Sequence, residues 1–332
     1  FWISKNRTLK KAEKIKGRCM IKYSIVIPVY NAEKSLDLLY NRIRNVFEKE
    51  IREEFELILV DDCSSDKSYE IIKTLTEKDS RIIGVQLAKN HGQQKAVLCG
   101  MRYTSGEYVI TMDDDLQHPP EEIPKLIKKI RETDNIDVVI GAYAAKKHNI
   151  IRKLGSKLMD MSSNMIFKKP KNLKLTSFRI IKRFVIDYLT KVNISSPTVG
   201  PLLLQTTSRI VNITVRHEER RFGHSGYTFL KLCKIFLKNL TTNSDIPLKF
   251  IGKIGILSFI TSIFLILFYM LKFFIYGTSV QGWTTIIVLL LFFGGMNLFA
   301  IGILGKYIIN IIQESKKMPM FIVKQISKAN KN

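Results

Sequence analysis

Tyr108-Val-Ile-Thr-Met-Asp-Asp-Asp-Leu-Gln-His-Pro-Pro120 runs from a β-branched stretch straight into three consecutive carboxylates. A strand over 108–112 ending in an acidic loop suits an open parallel sheet, whose ligands sit at the carboxyl ends of its strands. Upstream of it the same pattern recurs. Tyr23–Val29 leads into Tyr30-Asn31, and a strand over 57–60 leads into Asp61-Asp62-Cys63-Ser64-Ser65-Asp66. Ile82–Leu87 leads into Lys89-Asn90-His91-Gly92-Gln93. Helical patterns over 33–47, 68–77 and 93–103 separate these strands. The alternation predicts an α/β fold of Rossmann-like type, with a mostly parallel sheet covered on both faces. The polar loops then converge on one crevice.

Three adjacent carboxylates repel one another, so the run is costly unless a cation neutralises it. Mg2+ and Mn2+ are hard ions that take oxygen ligands, commonly one or two carboxylates together with phosphate oxygens. Alternation along a strand end predicts that Asp113 and Asp115 face the crevice while Asp114 points elsewhere. A diphosphate bridged to such a metal is a good leaving group. Helix capping accounts equally well for Asp66, which precedes the helix beginning at Ser68.

The chain has 332 residues, with Lys+Arg 53 against Asp+Glu 29 and a net charge of +24. That charge calls for anionic partners. An apolar content of 46% excludes a disordered basic tail. The four cysteines, Cys19, Cys63, Cys99 and Cys233, show no CxxC spacing, so neither a zinc cluster nor a disulfide framework is expected. Residues 254–275 are predominantly apolar with Lys272 as the one charged residue, and a second apolar run extends from Trp283 to Ile312. Each is long enough to cross a hydrocarbon core of about 30 Å. The link 277–282 carries no Lys or Arg, whereas Lys249, Lys253, Lys316, Lys317 and Lys324 flank the far ends. The expected topology is a two-helix hairpin with both ends cytoplasmic.

This gives a basic extension over 1–19, ahead of Met20 as a plausible start, and a catalytic domain over 20–226. An amphipathic juxtamembrane segment follows over 227–248, then two spans over 249–313 and a basic cytoplasmic tail over 314–332. The juxtamembrane lysines would meet an anionic lipid bilayer.

The segments 24–31, 60–66 and 112–120, together with Lys89-Asn90-His91-Gly92-Gln93, resemble the family 2 glycosyltransferases of the GT-A fold. Within that family they resemble the branch that transfers sugars to polyprenyl phosphates, which includes dolichol-phosphate mannose synthase and bacterial relatives with a two-helix anchor. The resemblance implies a nucleotide-sugar donor (UDP- or GDP-linked), a polyprenyl-phosphate acceptor, and a product that feeds a cell-envelope glycan or lipid modification. It implies a nucleotide pocket lined by Pro28, Tyr30, Asn31, Asp61, Asp62, Lys89 and Asp113. Asp113 and Asp115 would hold Mg2+ or Mn2+. Asp115, Gln117 and Arg220 would serve catalysis, and Arg152, Ser156, Arg179 and Ser225 would grip the lipid phosphate. Ser177-Phe178-Arg179 departs from the more common Gly-Phe-Arg at its first residue. A single in-line displacement by the lipid phosphate would invert the anomeric carbon.

Three rivals stand against this reading. A polysaccharide synthase should carry more spans and a Gln-x-x-Arg-Trp segment, yet Trp2 and Trp283 both lie outside the catalytic domain. A non-catalytic membrane subunit would have no need of Asp113, Asp115, Asp61 and Arg220. Nucleic acid is excluded as a partner because no recognised motif supports it. The reading leaves room for a homo-oligomer.

Overall fold

The computed structural model describes residues 21–143, 170, 173–192, 194, 197–218, 246–276, 282–315 and 319–329. These fall into an α/β unit, which includes residues 319–329, and a separate helical unit that holds the two long helices.

In the α/β unit, β1 (Tyr23–Val29), β2 (Phe55–Asp61), β3 (Ile82–Leu87) and β4 (Tyr108–Thr111) are parallel neighbours at the centre of an eight-stranded sheet. The helices between them are α1 (Leu36–Asn45), α2 (Ser68–Lys78) and α3 (Gln93–Met101). α1 continues into a π-helical turn, Val46–Ile51. A 3-10 turn over Pro120–Glu122 leads into α4 (Ile123–Arg131), and then β5 (Val138–Ala142). Beyond these come β6 (Arg179–Lys182), α5 (Arg183–Leu189), α6 (Val199–Thr206) and β7 (Ile210–Thr214). β8 (Val323–Lys328) closes the opposite edge. The strand order is β7-β5-β6-β4-β1-β2-β3-β8, in which β6 and β8 run against the others.

The strands read as unbroken apolar runs because both faces are buried. On one face Ile25 and Ile27 of β1 join Leu57 and Leu59 of β2. On the other face Val26 joins Ile58, Val60 and the α3 residues Ala96 and Val97. Gly100 lets α3 lie close against the sheet: a Cβ there would stand 2.4 Å from Val26 Cγ1 and 2.9 Å from Val60 Cγ2.

Two features differ from the sequence expectation. β6 inserts antiparallel between β4 and β5, so the sheet is mixed on that side. Within the segment read as a basic tail, residues 323–328 form β8 and pair antiparallel with β3.

In the helical unit, α7 (Ile246–Tyr276) and α8 (Trp283–Ser315) are 31 and 33 residues long and touch each other. Among the described residues, Phe293–Ile312 is a segment long and apolar enough to cross a membrane, and none of it is buried. Leu257, Phe264, Leu271 and Phe274 of α7 are exposed as well. The residues 1–19, most of 227–248 and the link 277–281 lie outside the described residues.

Candidate active site

Three loops at strand ends each turn on a non-glycine residue in the left-handed region: Asn31 after β1, Cys63 after β2 and Leu116 after β4. Such conformations are uncommon for these side chains and cluster at functional loops. β4 ends at Thr111, so the triple-Asp run lies beyond the strand, Asp113 in loop and Asp114 and Asp115 in a turn. Strand alternation therefore does not govern its side chains, and each carboxylate has its own tether.

Asp113 Oδ1 accepts from Gln93 Nε2 at 2.6 Å and Oδ2 from the Ser177 hydroxyl at 2.5 Å. It is thus held between the start of α3 and the segment before β6. Asp114 Oδ2 accepts the Tyr30 N–H at 3.1 Å, which ties the loop after β1 to the loop after β4. Asp115 Oδ1 accepts the Gln117 N–H at 3.1 Å. Burial pushes Asp113 above its ordinary value, opposed by the Ser177 hydroxyl. Burial likewise raises Asp114 to about 7, against the Tyr30 N–H. A site that disfavours carboxylate charge in this way is one that a cation would complete.

The other residues expected to form a nucleotide pocket surround these loops. Tyr30, Asn31 and Lys89 are exposed, whereas Pro28 is buried within β1. Asn31 Oδ1 accepts from the Ser65 N–H and hydroxyl, and its own N–H donates to Ser64 Oγ, so the loops after β1 and β2 interlock. Asp61 is 0% exposed; its oxygens accept from the Ser64 N–H at 3.2 Å and from Gln86 Nε2 at 3.2 Å. Asp62 accepts the His91 and Gly92 N–H groups, each at 2.7 Å, and burial still raises its carboxyl. Both acids therefore brace loops.

Arg179, which the resemblance assigns to the lipid phosphate, is only 5% exposed, on β6 beside Asp113. Burial lowers it to about 10, and its Nη1 has no hydrogen-bond partner among the described residues. His118 is 7% exposed and stacks on Phe178 at 5.4 Å; both its ring nitrogens lack partners among the described residues. His217 meets His118 edge-on and stacks on Tyr143 at 4.3 Å. Arg42 on α1 bridges Glu121 and Glu218, and the Glu218 N–H donates to Gln117 O. Arg152, Ser156, Arg220 and Ser225 lie outside the described residues.

The structure thus brings together Tyr30, Asn31, Asp61, Asp62, Asp113, Gln117 and Arg179 around the strand ends. The residues missed from sequence are the tethers Ser177, Gln93, Gln86 and Asp114. Ser177 carried a signal as the departure from Gly-Phe-Arg, Gln93 lies in the family-like segment 89–93 and Asp114 in the triple-Asp run, whereas Gln86 carried none.

Residues 24–189 match the model of a family described as Glycosyl transferase family 2. The undecaprenyl-phosphate 4-deoxy-4-formamido-L-arabinose transferase of Photorhabdus laumondii is 34% identical over 318 residues, covering 93% of this chain and 95% of that protein. The transferase of the same name from Proteus mirabilis is 33% identical over 323 residues, covering 94% of this chain and 96% of its own. Among solved structures, glucosyl-3-phosphoglycerate synthase from Mycobacterium tuberculosis in complex with Mn2+, UDP and phosphoglyceric acid matches with a TM-score of 0.49. That likeness is at 18% identity and covers 68% of this chain and 77% of that one.

Proposed function

The chain belongs to glycosyl transferase family 2, and from that membership we propose that it transfers a sugar from a UDP- or GDP-linked donor to a polyprenyl phosphate at the cytoplasmic face of a membrane. The observation that carries the acceptor is the likeness to undecaprenyl-phosphate sugar transferases over 93% of the chain, long helices included. Undecaprenyl phosphate is the acceptor class this favours, with a product destined for the cell envelope.

The donor nucleotide would sit against the loops after β1, β2 and β3, with Tyr30, Asn31 and Lys89 facing it. Asp61 and Asp62 would hold those loops in shape. Asp113 and Asp115 would hold Mg2+ or Mn2+. Their hard oxygen donors fit such an ion, as does the burial that raises Asp113. Among the described residues no group of three or more His, Cys, Asp or Glu side chains forms a fuller cage, which suits an ion completed by diphosphate oxygens. When bound, the ion stabilises negative charge on the departing nucleotide diphosphate.

The acceptor phosphate carries more than one negative charge near neutral pH, because its second pKa is about 6. It is a competent nucleophile without a strong general base. The chain must hold two anions on opposite sides of one sugar carbon. Arg152, Ser156, Arg179, Arg220 and Ser225 would take the acceptor phosphate, and Gln117 would orient the sugar. In-line attack then inverts the anomeric carbon.

Two membrane spans fit the same picture. β7 precedes the long helices and β8 follows them, yet both belong to one sheet. A chain that leaves and rejoins one domain crosses a bilayer an even number of times, so a crossing by α8 is supported by one through α7. The lysine flanks support a cytoplasmic position for the sheet.

The test uses membranes containing the full chain, Mg2+ or Mn2+, and a panel of labelled UDP- and GDP-sugars offered with and without undecaprenyl phosphate. Label should move into a lipid-soluble, acid-labile product only when the lipid phosphate is present, and NMR should show an inverted anomeric centre. Transfer to a water-soluble acceptor instead, or retention of configuration, contradicts the proposal.

A further inference from the structure

The segment that returns after the long helices lies against the loop expected to meet the donor nucleotide. β3 ends at Leu87, and the next five residues, Ala88 to Gly92, carry Lys89. One side of this loop is held by Asp62 through the His91 and Gly92 N–H groups. The other side is held by Ile322: its carbonyl accepts the Ala88 N–H at 2.8 Å, and its N–H donates to His91 Nε2 at 3.3 Å.

A second link runs through side chains. Gln325 stands opposite Gln86 in the β3–β8 register. Gln325 Nε2 donates to Gln86 Oε1 at 2.9 Å, and Gln86 Nε2 donates to Asp61 Oδ2 at 3.2 Å. Chemistry dictates the direction of this relay. An ionised Asp61 can only accept, so Gln86 must present its NH2 to it and turn its oxygen toward β8. That oxygen requires a donor, which Gln325 supplies. Were the Gln86 amide reversed, its oxygen would face a buried carboxylate, an arrangement that leaves an acceptor unsatisfied where it costs most.

The return segment is fastened at other points as well. Met320 and Phe321 are buried, Arg102 stacks over the Phe321 ring at 4.7 Å, and Tyr69 and Ser327 share a hydrogen bond of 2.9 Å between hydroxyls. Gln325 itself is exposed, so packing does not explain its choice of partner.

We propose that β8 is a positioning element of the donor-nucleotide pocket, with Gln325 setting the Gln86 amide that holds Asp61 and Ile322 clamping the loop that carries Lys89. This rests on the reading of that crevice as the nucleotide pocket. The consequence is that a strand encoded beyond the two long helices governs donor affinity.

Titrations of the full chain in detergent micelles with UDP and with GDP, in the presence of Mn2+, provide the test. Gln325→Leu, which cannot donate, weakens binding of whichever nucleotide binds by roughly fivefold, the loss of one modest hydrogen bond. Gln325→Glu, an acceptor when ionised, weakens it more, whereas Gln325→Lys still donates and stays near wild type. In turnover assays the defect appears in the donor KM, with kcat and the acceptor KM unchanged. Equal affinity in the Leu, Glu and Lys variants overturns the relay, as does a loss confined to kcat. Asp61→Asn separates the two levels: weaker nucleotide binding there with intact Gln325 variants overturns the relay alone. An Asp61→Asn chain that binds as wild type overturns the pocket reading and the relay with it.

Discussion

Ser177→Ala removes the hydroxyl 2.5 Å from Asp113 Oδ2. A hydrogen bond to a charged group contributes about 1.5–3 kcal/mol. The lower end applies here, because Gln93 still donates to the other oxygen at 2.6 Å. Asp113 is already raised by burial, and the Ser177 hydroxyl is among the influences that pull it down. Without the hydroxyl its carboxyl rises further, and more of it must lose a proton before it can bind a cation. A loss of about 1.4 kcal/mol makes the Mn2+ dissociation constant about tenfold weaker near pH 7. The gap narrows as pH rises, since deprotonation then costs less. Mn2+ titration followed by electron paramagnetic resonance reads this directly, and Ser177→Thr, which keeps the hydroxyl, should bind near wild type. Unchanged Mn2+ affinity in Ser177→Ala, or equal damage from Thr and Ala, would refute the tether.

Two further outcomes concern the scaffold. Gly100→Ala places a methyl 2.4 Å from Val26 Cγ1 and 2.9 Å from Val60 Cγ2, on stiff β-branched side chains of the central strands. Overpacking of that kind costs about 1–3 kcal/mol and should outweigh the helix-propensity gain, so the thermal midpoint of the solubilised protein falls; a rise contradicts the close approach of α3. Burial pushes Asp79 up, but the hydrogen bonds from Arg81 and Tyr40 outweigh it and hold the carboxyl below its ordinary 3.8. A depressed folded-state value stabilises above 3.8 and is lost as pH falls through the folded value. Asp79→Asn should therefore unfold at lower temperature than wild type at pH 7, with the difference shrinking as pH falls below 3.8; a difference that grows on acidification contradicts the sign.

The central sheet was legible because parallel strands buried on both faces announce themselves as apolar runs. The bounds Tyr23–Val29 and Ile82–Leu87 agree between sequence and structure. The other edge of the sheet was not legible. β6 pairs with β4 across 68 or more residues, through contacts that no local pattern encodes. Val323-Lys-Gln-Ile-Ser-Lys328 sits in a lysine-rich stretch and buries little, so it read as tail.

At the site, sequence identified the loops and their carboxylates but not how each is held. Asp114, expected to point away from the crevice, anchors the Tyr30 N–H, a role the sequence does not announce. That bond, like Ser177 to Asp113 and Gln86 to Asp61, joins residues far apart in sequence, and only the fold brings them together. Arg179 shows the opposite limit. The resemblance marks it for the lipid phosphate, but only the fold shows that β6 carries this guanidinium inside, beside Asp113.

The most direct measurement is transfer of labelled sugar from a nucleotide donor to undecaprenyl phosphate by the purified full chain, compared with Asp115→Ala. The wild type should form lipid-linked sugar with Mg2+ or Mn2+ and lose that activity on chelation. Asp115→Ala should fall by at least about a hundredfold, as expected when a residue stabilising transition-state charge is removed. Transfer by both proteins at equal rates, or none by the wild type with any donor, would contradict the assignment.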